Sequence, residues 1–157
     1  MKNSEINRLI DQIVGMHNNK NWAGFDLYGI LKSITVETAN MKLPEFNHTI
    51  HQIAQHLVTD LVVIKRLQGI DHKIPIEENW IPADEINFKW TDTVNSIKEN
   101  KNELIRELQK LSDEDLDKPI LKDFSSIYEN LHGYIQHSCY HFGQIALMKK
   151  FIDNLRK

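Results

Sequence analysis

Residues 135–145, IQHSCYHFGQI, hold two histidines four positions apart, His137 and His141. A neutral imidazole presents a lone pair on one ring nitrogen, and two rings one helical turn apart can reach a single metal ion. The same pair could equally be a half-buried polar edge, so the spacing alone leaves both open. The zinc-protease pattern His-Glu-x-x-His is absent because Ser138 follows His137, and no general base is built into the pair.

A helix turns about 100° per residue, so residues four apart lie about 40° apart around the axis. His141 falls inside an apolar stripe of Ile127, Leu131, Tyr134, Ser138, Ile145, Met148 and Ile152, and His137 falls at its edge. Cys139 points well away and reads as a small buried hydrophobe or an interface residue rather than a ligand. His132 faces away from His141. Gln144 returns to the face of His137, where it could hydrogen-bond a ligand or a bound water, or simply meet solvent or a neighbouring helix.

A metal needs at least one more protein ligand, and in a bundle it comes from a facing helix. His51 and His56 are both available, about 140° apart, and the wheel does not choose between them. Asp60, one turn after His56, is the nearest carboxylate. His17 lies on the apolar stripe of the first helix and reads as a hydrogen-bonded core histidine, while His48 and His72 read as loop residues. A rival di-iron arrangement would use Glu-x-x-His on two helices. That pattern occurs at Glu45–His48, directly after Pro44, and at Glu129–His132, where Glu129 is engaged in a helix cap.

The elements that must position these rings are helical. The chain has 157 residues, 41% hydrophobic and 26% charged, with only six glycines and four prolines, which favours one globular domain spanning 1–157. Apolar residues recur at three- and four-residue steps over 4–18 and about 25–39, with the polar patch His17–Asn21 between. A helix from about 50 to Gly69 opens with a Thr49–Gln52 capping box, a third spans about 92–111, and a fourth begins near 127 behind a Ser126–Glu129 capping box. Residues 70–90, with Pro75 and Pro82, form a long connection, and SDEDLDKP (112–119) breaks the chain before the last helix. The expectation is an all-α four-helix bundle.

The formal net charge of −3, with histidine neutral, gives no basic face for nucleic acid. No apolar run nears the ~20 residues that span a bilayer, and the first twelve residues are too polar for a signal peptide. The single cysteine excludes an internal disulfide. A cytoplasmic protein without membrane or nucleic-acid partners is expected.

Two stretches, TIHQIAQHLVTDLVVIKRLQG (49–69) and SIYENLHGYIQHSCYHFGQIALMKK (126–150), resemble the DinB-like, or YfiT-type, family of metal-binding helical bundles. QHSCYHFGQI is the most specific part, and weaker likeness runs through NWAGFDLYGIL (21–31) and ENWIPADEINF (78–88). The resemblance implies an up-down-down-up four-helix bundle and a three-histidine metal site of His56, His137 and His141. His51 matches a position usually apolar or aromatic, and Gly143 would permit close helix packing. Asp60 departs from the aromatic or amide of relatives, which leaves open a hydrogen bond behind a ligand or an extra ligand.

Three imidazoles leave a coordination position free, as catalytic zinc sites do. Imidazole suits several ions, and zinc or nickel is the expected divalent cofactor. Characterised members of the family include transferases and isomerases that use thiols such as bacillithiol or mycothiol. The leading expectation is therefore a metal-dependent transferase activating a low-molecular-weight thiol. A metal-dependent hydrolase and a non-catalytic, stress-induced metal-binding protein are the alternatives. The family also implies a homodimer paired through helices, for which Phe142, Ala146 and Cys139 on the outer side of the fourth helix could serve, unless they pack within the monomer.

Overall fold

The computed structural model describes residues 4–18, 21, 22, 24, 26–85 and 89–156, and among these the regular structure is entirely helical. The first helix, α1 (Glu5–His17), buries Ile6, Leu9, Ile13, Met16 and His17. The first N–H groups of a helix have no intrahelical acceptor. Here the Ser4 hydroxyl accepts from Asn7, and the Asp113 carboxylate accepts from the Glu5 and Ile6 amides at 2.8 and 3.0 Å. Asp113 belongs to a 3-10 turn, Asp113–Asp115, inside the predicted breaker, so that break also anchors the start of α1.

The helix predicted over about 25–39 is instead two short ones, α2 (Leu27–Lys32) and α3 (Val36–Ala39). Ser33 donates its hydroxyl to the Ile30 carbonyl at 2.7 Å, and the Thr35 hydroxyl caps α3. Such side chains compete with the helical ladder and end it. Phe25, where that prediction began, and residues 86–88 of the family-like stretch lie outside the described residues.

The helix predicted over 50–69 is also divided, into α4 (Ile50–Val58) and α5 (Leu61–Leu67), with no proline or glycine at the break. Its capping box, Thr49 with Gln52, forms as expected. At the break the ladder tightens to i−3 bonds, Thr59 to His56, Asp60 to Leu57, Val62 to Thr59 and Val63 to Asp60, all at 3.1–3.2 Å. The Thr59 hydroxyl adds a bond to the His56 carbonyl at 2.6 Å, and the Asn100 amide takes up the Val58 carbonyl at 3.0 Å. Gly69, at φ +81°, ends α5 in the left-handed conformation that glycine adopts without penalty.

The connection after α5 holds a single turn, α6 (Ile76–Asn79). The next helix, α7 (Trp90–Leu108), starts two residues before and stops three residues short of the predicted 92–111, with Ile97, Leu104 and Leu108 buried. The last and longest helix, α8 (Ile127–Leu155), starts at the predicted Ser126–Glu129 capping box. It packs against α1, α2, α4 and α5, while α4 and α5 also pack on α7.

Because α8 has neighbours on several sides, it is buried over a wide arc. All seven residues of its predicted stripe are buried. Phe142, considered for an outer face, is 1% exposed and meets the His17 ring edge-on at 5.1 Å. Cys139 is free and exposed rather than buried. Gly143 does not serve close packing, since nothing stands within 4 Å of the space a Cβ would take. Among the described residues no helix is long and apolar enough to cross a membrane.

Candidate metal centre

The last turn of α4, the break that follows it and the middle of α8 bring His56, Asp60, His137 and His141 together. His56, His137 and His141 each offer one ligand atom, and the three atoms lie within 4.8 Å of one another. Across the helices, His56 Nε2 stands 2.9 Å from His137 Nε2. The ring centroids of the three pairs lie 4.5–4.9 Å apart, all near edge-on.

The other nitrogen of each ring is already committed. His56 Nδ1 donates to the Asn79 carbonyl at 3.0 Å. His137 Nδ1 donates to Asp60 Oδ1 at 3.0 Å. His141 Nδ1 donates to Gln144 Oε1 at 2.7 Å. A carbonyl, a carboxylate and an amide oxygen can only accept, so each holds its ring in the tautomer with the proton on Nδ1. What remains on each neutral ring is the Nε2 lone pair. Two such lone pairs 2.9 Å apart repel, and a proton or a cation between them would relieve that repulsion.

Electrostatics separates the three. Burial pushes His56 below the ordinary imidazole value, with the nearby His137 adding to this and the Asn79 carbonyl opposing it. Burial likewise lowers His141, against the pull of Gln144. The hydrogen bond to Asp60 holds His137 above the ordinary value, against burial. Asp60 also accepts from the Ser138 hydroxyl at 3.3 Å, so both its oxygens are engaged.

The donor set fits a divalent ion. Metal-bound histidines almost always donate their second ring N–H to a carbonyl, carboxylate or water, and all three do so here. Nitrogens bound tetrahedrally to zinc sit about 3.4 Å apart, so an ion would require the 2.9 Å pair to part only slightly.

The other predicted residues sort as follows. His51 is excluded from the cluster: its Nδ1 bonds Asn40 Oδ1 and its Nε2 bonds Thr93 Oγ1, both at 3.0 Å, on the side of α4 that faces α3 and α7. Gln144, half-buried, accepts from His141. His17 is the expected core histidine, donating Nδ1 to its own Ile13 carbonyl at 2.8 Å. His132 packs against Tyr128, and Glu129 stays in its cap, so neither joins a second centre. His48 stacks on Trp80 and is not among the clustered histidines.

Two contributors lie in the connection that offered no periodic signal. The Asn79 carbonyl fixes His56, and the Trp80 ring stacks on His56 at 4.1 Å with an interplanar angle of 12°. A main-chain carbonyl has no residue signature, whereas a tryptophan inside an aperiodic stretch was the available clue.

The DinB superfamily matches residues 22–145, a span that contains all three clustered histidines. No curated protein matches the chain, and no solved structure does. With a family match over most of its length and a helical architecture, the chain belongs to the DinB superfamily.

Proposed function

We propose that the chain is a single-domain, up-down-down-up four-helix bundle that holds one divalent ion, zinc or nickel, through His56, His137 and His141, and transfers a low-molecular-weight thiol to a small substrate. The four bundle members in this reading are α1, the α4–α5 pair, α7 and α8. The observation that carries it is the set of three committed Nδ1 atoms on rings whose ligand atoms lie within 4.8 Å of one another, which leaves the Nε2 lone pairs for an ion.

An ion held there supplies Lewis acidity, which lowers the pKa of a thiol or water entering beside it. The protein's own part is orientation. Asn79, Asp60 and Gln144 hold the Nδ1 protons, and burial keeps His56 and His141 neutral and ready to bind. A hydrolase reading needs a free general base. Asp60, the carboxylate in contact with the cluster, is already shared between His137 and Ser138, which favours the thiol reading.

Metal analysis of protein purified without an affinity tag tests the centre, with one ion per chain expected; two would point to the di-iron alternative. Loaded protein is then incubated with bacillithiol, mycothiol or glutathione and an electrophile. Consumption that stops on chelation supports the transferase. Ester or amide hydrolysis that stops on chelation would favour the hydrolase, and neither activity would leave a metal-binding protein.

Asp60→Asn keeps the shape of the side chain but removes its charge from behind His137. Its ion affinity, measured by chelator competition, is expected to fall about 10- to 100-fold. Unchanged affinity would remove Asp60 from the centre.

A cytoplasmic homodimer completes the reading. The outer face of α8 is the candidate contact, where Tyr140 and Leu147 are 64% and 61% exposed on either side of the open Gly143.

A further inference from the structure

Three consecutive residues of the α5–α7 connection are tied to one face of α4. The Asn79 carbonyl accepts from His56 Nδ1 at 3.0 Å, and the Trp80 ring lies flat on the His56 ring. The Ile81 carbonyl accepts from Gln52 Nε2 at 2.9 Å. Gln52 and His56 are one turn apart, so two successive rungs of α4 hold this strap.

Beyond Trp80 the stack continues. His48, just before α4, lies on the other face of the indole at 3.9 Å and 12°, giving a three-ring pile of His48, Trp80 and His56. His48 Nδ1 is buried with no hydrogen-bond partner among the described residues, so stacking accounts for its place better than hydrogen bonding does. Trp80 also meets His141 edge-on at 5.9 Å. One indole therefore touches metal-facing rings from two different helices.

We propose that this strap is a positioning element for the metal centre, in which Trp80 fixes the His56 ring plane and shields it from water, and Gln52 keeps the strap docked. The inference rests on the three-histidine reading above. His56 binds through Nε2 only while its Nδ1 proton has an acceptor and its ring stays in plane, and the strap supplies both. An imidazole free to rotate or change tautomer releases an ion more readily.

Cobalt(II) is the probe, because its visible absorption reports the geometry of its ligands. Wild-type, Trp80→Ala, Trp80→Phe, Gln52→Ala and Thr49→Ala proteins are loaded with cobalt(II). Each is followed for its absorption bands and its dissociation rate into excess EDTA. Trp80→Ala is expected to release the ion about tenfold faster with shifted bands. Trp80→Phe, which keeps an aromatic face, should stay within about threefold of wild type on the same scale.

Gln52→Ala frees the Ile81 carbonyl without touching a ligand and should shift the rate in the direction of Trp80→Ala. It also opens the capping box, and Thr49→Ala, which opens the same box while leaving Gln52 on the strap, should not shift the rate. Gln52→Ala keeps the test available if Trp80→Ala does not fold. Wild-type rates and spectra in Trp80→Ala and Gln52→Ala, equal effects from Trp80→Phe and Trp80→Ala, or a Thr49→Ala effect matching that of Gln52→Ala would each overturn the strap. A wild-type chain that binds no cobalt, or a His56→Ala variant that binds it normally, overturns the histidine centre instead, so the two failures are distinct.

Discussion

His56→Ala is expected to lose the ion of the proposed centre, while His51→Ala is expected to keep it. The two histidines are five residues apart on one helix, both are buried, and neither wheel position nor residue type separates them. Their partners do. His56 Nε2 faces His137, whereas His51 is saturated by Asn40 and Thr93. Structural zinc in small domains is worth ~10–16 kcal/mol over four ligands, or about 3 kcal/mol for each. Removing one imidazole should therefore weaken binding on the order of a hundredfold or more. His137→Ala and His141→Ala should behave like His56→Ala. His51→Ala instead removes two buried hydrogen bonds, to Asn40 Oδ1 and to Thr93 Oγ1, while Thr93 keeps Gln55 and Asn40 keeps the Val36 carbonyl. The cost is about 1–3 kcal/mol in folding stability with the ion retained. Equal ion affinity in His51→Ala and His56→Ala, measured by titration against a chelator, would dismiss the assignment.

The second large effect concerns acid sensitivity. His17 is 2% exposed between Tyr28 and Phe142, and burial pushes its pKa down from 6.5 to about 4. In the unfolded chain the same ring takes a proton near 6.5. Between those values the unfolded state binds one more proton than the folded state, so stability falls as pH falls. The contribution is intact above pH 6.5 and is withdrawn progressively down to about pH 4. At 1.36 kcal/mol per unit the loss amounts to about 3 kcal/mol. Urea unfolding of metal-free wild type and His17→Leu at pH 7, 5.5 and 4 isolates this group, since the other histidines titrate in both proteins. The variant should lose distinctly less stability over that window. Parallel curves would mean His17 charges without disturbing the core.

What the sequence made legible follows from how each feature is encoded. His137 and His141 could be paired because helical geometry is local and their spacing is one turn. The capping boxes at Thr49 and Ser126 were legible for the same reason. The choice of His56 over His51 was not local: it came from family likeness, and its physical cause is Asn79, 23 positions away, together with the opposing helix. Phe142 was considered for an outer face because a wheel assumes one buried side, whereas α8 has α1, α2, α4 and α5 around it. The division of the second helix at Thr59 also escaped, since no glycine or proline marks it and the cause is a set of i−3 bonds with a hydroxyl behind them. Asp60 was noticed as the nearest carboxylate, but only the fold shows it accepting from His137.

Of the three acceptors standing behind the rings, a main-chain carbonyl, a side-chain amide and the Asp60 carboxylate, only the last carries formal charge. A dication seated on neutral imidazoles would thus be half neutralised by the protein and would retain a single surplus positive charge. A monoanionic companion restores neutrality where a neutral one leaves the imbalance standing. Selection between otherwise similar small molecules would then begin with valence, before shape is consulted.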